Sequence, residues 1–171
     1  TRRTYYGVNN VPTLFLDGST KFANAISQEK MDISYNTPSF FDIRGSFTLN
    51  DSTITVIADF MPYINIKNLK AYVTVNEKAT TKNIGNNGET EFHHILMKML
   101  GSQNGNTLNF EAGEYQRLEF SYNMSSTNVE ELDDLEVAIW IQNPTTKEVL
   151  NSRFAYEYTE HVYPAQNVNI T

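Results

Sequence analysis

The chain contains no cysteine. That absence removes disulfide staples, thiolate nucleophiles and cysteine-ligated zinc together, and it leaves the redox compartment open. Basic residues are scarce as well: 13 Lys and Arg stand against 20 Asp and Glu, a net charge of −7. Phosphate backbones and anionic membrane surfaces both require clustered Lys and Arg, so the balance argues against nucleic acid and such surfaces as partners. No apolar run approaches the ~18 residues of a membrane-spanning helix. The sequence opens Thr1-Arg2-Arg3-Thr4 without an initiator Met or an apolar leader. The expectation is an excised piece of a larger exported protein whose targeting segment lies elsewhere.

What is present points to a packed β domain. The 171 residues are 40% hydrophobic and 19% charged. That suits one domain, or one domain and a fragment, with enough chain to bury a core unaided. Asn, Thr, Ser and Tyr are frequent, a mixture common in β-rich exported domains.

Val11 to Leu16 reads as an apolar strand closed by Asp17-Gly18. Ser19 to Met31 sets Phe22, Ile26 and Met31 at near-helical spacing, which predicts a short helix capped by Ser19 or Thr20. Phe41, Ile43, Gly45, Phe47 and Leu49 then alternate with polar residues, and so do Ile54, Val56, Ala58 and Phe60 across an Asn50-Asp51 turn. Period two and a turn predict a hairpin, with Pro62 ending it. Leu69–Val75 is a third strand, and Lys78 to Glu89 a polar loop. Phe92, Ile95, Leu96, Met99 and Leu100 share a helical stripe before Gly101, which predicts a short helix. Strands follow at Leu108–Phe110, at Leu118–Met124, at Leu135–Ile141 (with Trp140 as a core anchor) and at Val149–Tyr158, with an acidic connector over 129–135. About seven strands after residue 38 predict a mainly β chain, an antiparallel immunoglobulin-like β-sandwich from about Ser39 to Tyr158 with one short helix. The expected division is an N-terminal piece over 1–31, a sandwich over 32–160 and a loose tail over 161–171.

Two stretches resemble known families. Tyr6 to Gly18, with Val11-Pro12-Thr13 at its centre, is similar to the late part of a thioredoxin fold. There a Val- or Ile-Pro-Thr element with a cis proline precedes an apolar strand and a Gly turn. The resemblance implies a cis Pro12 beside redox cysteines that would lie upstream of Thr1. Asn87 to Leu100 and Ala138 to Leu150 together resemble the 28-kilodalton outer-membrane-protein family of the Bacteroidetes, in which a thioredoxin-like part precedes a β-sandwich. Where that family has a basic residue after its His pair, this chain has Met97 and then Lys98. The resemblance implies export to the envelope, either outer-membrane-associated or extracellular.

Candidate chemistry is sparse. His93 and His94, with Glu89 and Glu91, form the one cluster of metal-ligand types, and the third histidine is His161. Adjacent histidines on a helix point about 100° apart and do not chelate as an i, i+4 pair does, so partly buried structural histidines are expected. The carboxylates of Glu130, Glu131, Asp133, Asp134 and Glu136 lack the Gly and the alternate spacing of a calcium loop, so a solvated connector is expected. A glycosidase pair meets in space rather than in sequence, so the acidic residues carry no signal for one. No Gly-x-Ser-x-Gly elbow is present. Asp51-Ser52-Thr53 matches the short O-glycosylation acceptor of the Bacteroidetes, with Ser52 in an expected turn. Asn50, Asn123 and Asn169 begin Asn-x-Ser/Thr patterns.

The expected function is therefore a non-catalytic binding or scaffolding domain of an exported cell-envelope protein, without cofactor, holding a protein partner. Two alternatives stand beside it. One is an accessory domain of a thiol–disulfide oxidoreductase with its Cys-x-x-Cys upstream of Thr1. The other is a carbohydrate-binding module, marked by an exposed aromatic row over a groove. The Thr13–Leu16 strand, cut from a parent sheet, is expected to dock on its own sandwich or to pair with a second copy as a homodimer.

Overall fold

The computed structural model describes residues 2–10, 13–22, 25–82 and 88–157, with backbone only at 21–22. The N-terminal part contains α1 (Arg2–Tyr6), the hairpin β1 (Leu14–Leu16) and β2 (Thr20–Phe22), and α2 (Gln28–Tyr35). The sandwich follows. One sheet has the order β11-β3-β4-β8, from Tyr156–Glu157, Phe41–Asn50, Thr53–Pro62 and Gln116–Asn123. The other is built around β5 (Ile66–Thr80). On one side β5 pairs with β9 (Leu135–Gln142), which pairs in turn with β10 (Val149–Phe154). On the other side it pairs with β7 (Asn106–Phe110) and then with β6 (Phe92–Leu100). The pairings are antiparallel except for β11, which lies parallel to β3.

Alternation along the strands builds the core. Leu69, Ala71, Val73 and Val75 of β5 and Leu135, Val137, Ile139 and Ile141 of β9 point inward and are buried. They meet Ile43, Phe47, Ile54, Val56 and Phe60 of the facing sheet in one cluster. Phe110 closes one end, edge-on to Phe41 at 5.1 Å. Each fully buried side chain of this kind contributes roughly 1.5–3 kcal/mol. Gly45 allows close approach of the sheets, since a Cβ there would collide with Ile139 Cδ1.

The β3–β4 hairpin forms as expected, in full register from Phe41↔Pro62 to Asn50↔Thr53. The expected helix at Glu91–Leu100 is instead the strand β6. Its register with β5 slips by one residue between Val75↔Lys98 and Asn76↔Leu96, leaving Met97 in a bulge. Met97 and Leu100 then both face the core, three residues apart. An unbroken strand allows only even intervals on one face, so a bulge copies a helical stripe. The expected helix at Ser19–Met31 is also corrected. Asp17 and Gly18 adopt φ of 47° and 71° and fold Thr20–Phe22 back along β1. The helix begins later, and Ser27 rather than Ser19 or Thr20 caps it by accepting from Lys30 N. It therefore crosses the expected boundary at residues 31 and 32. The polar segment after Lys78 is strand as far as Thr80.

The β1 strand finds its partner within the chain, in β2. The hairpin turn docks on the sandwich, where Val149 N donates to Asp17 O at 2.7 Å. Pro12, His161, Asn169 and the 161–171 tail lie outside the described residues. No helix among the described residues is long and apolar enough to cross a membrane.

Candidate functional site

The outward face of the larger sheet carries the site. Along β9, Leu135, Val137, Ile139 and Ile141 take the inward positions, so Glu136, Ala138, Trp140 and Gln142 point outward. Trp140 is therefore not the core anchor expected of it. Its register partner on β5 is Tyr72, also outward, and the two rings stack at 5.0 Å and 15°. Two large aromatics on the solvent side of a sheet need cover. The N-terminal segment supplies it.

The Arg2 guanidinium lies 4.4 Å from the centre of the Tyr72 ring, 4.7 Å from Tyr5 and 4.8 Å from Tyr6. Such stacking suits a planar, weakly hydrated cation. Arg2 also donates to the Tyr6 hydroxyl at 2.8 Å and to Gln142 Oε1 at 3.2 Å. Gln142 is fully buried beneath this segment. Its amide donates to the Tyr6 hydroxyl at 2.7 Å and to Lys147 O at 2.5 Å, so both ends of the side chain are satisfied. Tyr6 meets Phe15 of β1 at 4.9 Å. Burial, aided by Tyr72 and Tyr6 and opposed by Arg2, pushes the Tyr5 phenol above its ordinary value.

Between this segment and β9–β10 lies a cleft of about 550 Å³. Arg2, Tyr6, Phe15 and Asp17 form one wall, and Trp140, Ser152, Arg153 and Phe154 form the other, with Ala138 between them. Of the stacked Tyr72–Trp140 pair, only Trp140 lines the cleft. Phe154 is 55% exposed. A concave site lined by aromatics with a few charged groups is the ordinary form of a small-ligand site.

The candidates drawn from sequence lie elsewhere. His93 and His94 sit on β6, not on a helix, and their side chains are 62% and 66% exposed rather than partly buried. His93 pairs with Glu91 at 3.3 Å and His94 with Glu136 at 2.7 Å. Their rings are 6.4 Å apart. Among the described residues no group of three or more His, Asp or Glu is placed to hold a metal. His94 takes φ of 54°, unusual within a strand, and its ring lies 6.4 Å from Phe154, just beyond the cleft.

Ser52 occupies the tight β3–β4 turn, half-buried, and its carbonyl accepts from Met124 N. Asn123 caps the 3-10 turn at Met124–Ser126, accepting from Ser125 N at 2.9 Å. The acidic connector is not merely solvated. Glu130 accepts from Thr81 N and Lys82 N, and Asp134 accepts from Ala79 N. The carboxylate of Glu77, itself fully buried, accepts from Glu130 N and Glu131 N. These carboxylates fasten the connector to the end of β5.

Sequence reasoning missed Arg2, Tyr6, Phe15, Gln142 and Phe154 as site residues. One signal was available. Glu136 and Gln142 are in phase with Trp140, and two polar residues in phase with an aromatic place it on the outer face.

No family model and no curated protein matches the chain. Among solved structures, HBP35 of Porphyromonas gingivalis is similar in fold, with a TM-score of 0.61 at 14% identity over 82% of this chain. The match takes in 50% of HBP35, so the chain spans about half the length of that neighbour. A β-glucosidase mutant from Listeria innocua, in complex with laminaribiose, aligns over 70% of this chain and 16% of its own, with a TM-score of 0.37 and 11% identity. A β-glucosidase from Kluyveromyces marxianus aligns over 68% and 14%, with a TM-score of 0.35 and 11% identity. Scores of that size carry no structural argument. The similarity to HBP35 of Porphyromonas gingivalis is one of fold, and the described residues of this chain form a β-sandwich.

Proposed function

We propose that this chain is a non-catalytic binding domain of an exported cell-envelope protein, of the kind found in the Bacteroidetes 28-kilodalton outer-membrane-protein family. The observation that carries the reading is the cleft. It is walled by Tyr6, Phe15, Trp140 and Phe154, and its shape is set by the fully buried Gln142 behind it. A solvent-facing sheet that needed only to be soluble would not keep Trp140 and Phe154 beside an open cleft. The fold likeness to a Porphyromonas gingivalis protein supports the lineage.

Hydrogen–deuterium exchange tests the reading. The chain is incubated with detergent-solubilised envelope of a Bacteroidetes host, and peptide protection is read along the sequence. Protection is expected over α1, β1 and β9–β10, and it should be lost in Phe154→Ala. Protection confined to other elements, or none, would sink the proposal.

A second reading makes the chain the accessory domain of a thiol–disulfide oxidoreductase. The element order after Val11-Pro12-Thr13 favours it: a strand, a Gly18 turn, a second strand and a helix. Insulin reduction by the full-length protein, with this cysteine-free chain beside it as the blank, decides that question.

A further inference from the structure

We propose that the open edge of β8 pairs antiparallel with β8 of a second copy of this chain, with Leu118 on the twofold axis and Arg117 opposite the partner's Glu119. The proposal stands apart from the cleft. The β3–β4 hairpin fixes which backbone groups are available for it. Asp51 and Ser52 form a two-residue loop closed by Asn50↔Thr53, so Thr53, Thr55, Ile57 and Asp59 bond back to β3. The alternate residues Ile54, Val56, Ala58 and Phe60 then bond to Tyr122, Phe120, Leu118 and Gln116 of β8. Met124 N donates to Ser52 O at 2.7 Å in the same phase. Arg117, Glu119 and Ser121 therefore turn their N–H and C=O groups to the open edge. Among the described residues, none bonds to those groups.

The other edges of the two sheets are blunted. β6 carries the bulge at Met97 and a left-handed His94. β10 slips register between Val149 and Asn151, and the hairpin turn sits on its Val149. β7 slips between Ile66 and Leu69 of its partner, and β11 has only two residues. β8 is different. It keeps a single register with β4 over all eight residues and contains no Gly, Pro or Lys. A regular, unpaired edge of that length is a template for another strand.

Charge selects the second copy and the register. Arg44, Asp59 and Arg117 are register partners on three neighbouring strands, so they form an alternating row that ends in a cation at the open edge. Asp59 takes Nε and Nη2 of Arg117, which leaves Nη1 for a further acceptor. Glu119 lies on the same face and is exposed. Its cross-strand neighbours are Ile57 and then Ser46, neither of them charged. Among the described residues no Lys, Arg or His lies within salt-bridge distance of Glu119. With Leu118 on the axis, Arg117 of each copy faces the partner's Glu119, and both rows continue with alternating sign. Both residues bond toward the open edge, so each such pair also closes two backbone hydrogen bonds. An axis at Glu119 would set two like charges opposite each other. An axis at Phe120 would set Arg117 against Asn123 and Glu119 against Ser121, leaving both charges with neutral partners. Opposite charges across a strand pair stabilise it and like charges destabilise it.

Sedimentation equilibrium of the chain over a range of concentrations tests the proposal. A reversible monomer–dimer equilibrium is expected, with exchange of the Arg117 and Glu119 amides slowing as the dimer fills. Glu119→Arg sets a cation opposite Arg117 at both places and should weaken dimerisation roughly tenfold. Glu119→Pro removes an edge N–H that β4 does not use and should abolish the dimer. At concentrations where the parent chain is monomeric, Glu119→Arg should melt with it, because the side chain is exposed. That variant carries the test if the proline variant does not fold. A parent chain that stays monomeric throughout, a dimer that withstands Glu119→Arg, or edge amides that exchange at the same rate in monomer and dimer would overturn the proposal.

Discussion

Glu77 is the residue whose replacement most directly tests how the acidic connector is held. It lies on β5 opposite Leu135, fully buried, and its carboxylate receives Glu130 N at 2.9 and 3.1 Å and Glu131 N at 2.6 Å. Two replacements separate its parts. Glu77→Gln can keep an oxygen at the Oε1 position, which accepts from both Glu130 N and Glu131 N, but it removes the charge from both bonds. A hydrogen bond to a charged group is worth about 1 kcal/mol more than a neutral one, so the two together put this variant at ~2 kcal/mol. Glu77→Met keeps the length and removes both acceptors. Two orphans cost about twice as much, and relief from burying a carboxylate offsets part of it, which leaves ~3–4 kcal/mol. In a domain of this size each kcal/mol moves Tm by about 2–4 °C, so Tm should fall by roughly 4–8 °C for Gln and roughly 6–16 °C for Met. Urea unfolding at neutral pH with both variants gives the free energies. An unchanged m value would place the loss in the native state. A Met variant as stable as the parent would refute the reasoning, because the two N–H groups would then need no acceptor from residue 77.

Three further outcomes follow from the same geometry. Gly18 has φ of 71°, and a Cβ there would strike Lys147 O and approach Gln142 Nε2 to 2.8 Å. Gly18→Ala should therefore release the hairpin turn: exchange of the Val149 amide, now bonded to Asp17 O, should rise strongly while the urea midpoint moves little. The Tyr5 phenol titrates above 10.0 because burial favours its neutral form. A folded-state value raised above the unfolded one gives stability that is full below the unfolded value and lost as pH rises through the folded one. The packing of α1 should thus hold through neutral pH and loosen only above pH 10.0, a step seen in Trp140 emission and absent in Tyr5→Phe. Asp59 and Arg117 form a two-pronged pair across β4 and β8, at 2.7 and 2.8 Å, with both side chains about four-fifths buried. Asp59→Asn should cost about 1–2 kcal/mol in urea unfolding and leave cleft binding unchanged.

Most of the sandwich was legible in sequence because its strands alternate cleanly between turns. Phe41 to Phe60 shows the reason: Phe41, Ile43, Phe47 and Leu49, then Ile54, Val56, Ala58 and Phe60, fall at alternate positions among mostly polar neighbours, and the Asp51-Ser52 turn joins the two strands without slippage. The misread at β6 has a physical cause. A bulge at Met97 changes the phase of the alternation, and no local residue marks it, because it answers the pairing with β5. The misread at α2 came from taking Phe22 and Ile26 as one helical stripe, although Phe22 ends the strand that the Asp17-Gly18 turn folds back along β1. The buried polar residues were hidden for a different reason. Glu77 lies in a polar stretch and Gln142 at the end of an apolar run. Nothing local distinguishes a buried carboxylate or amide from an exposed one, because the partners are 53 and 136 residues away in sequence.

The two walls of the cleft belong to parts of the molecule with unequal hold on the fold. β9 is paired on both edges and contributes four side chains to the core. α1 and α2 bury no residue, and the β1–β2 hairpin has only three residue pairs. The N-terminal wall is thus secured chiefly through Arg2, Tyr5, Tyr6, Gln142 and the turn at Asp17-Gly18, and local opening there costs far less than unfolding the sandwich. A ligand that touches both walls gains affinity only from the closed arrangement, and the fraction of closed molecules multiplies its intrinsic affinity. Gln142 therefore bears on binding without touching the ligand. Its contacts to Tyr6 and Lys147 set how often the wall is in place, and the strength of binding at Trp140 and Phe154 depends on an amide two residues along β9 on Trp140's own face.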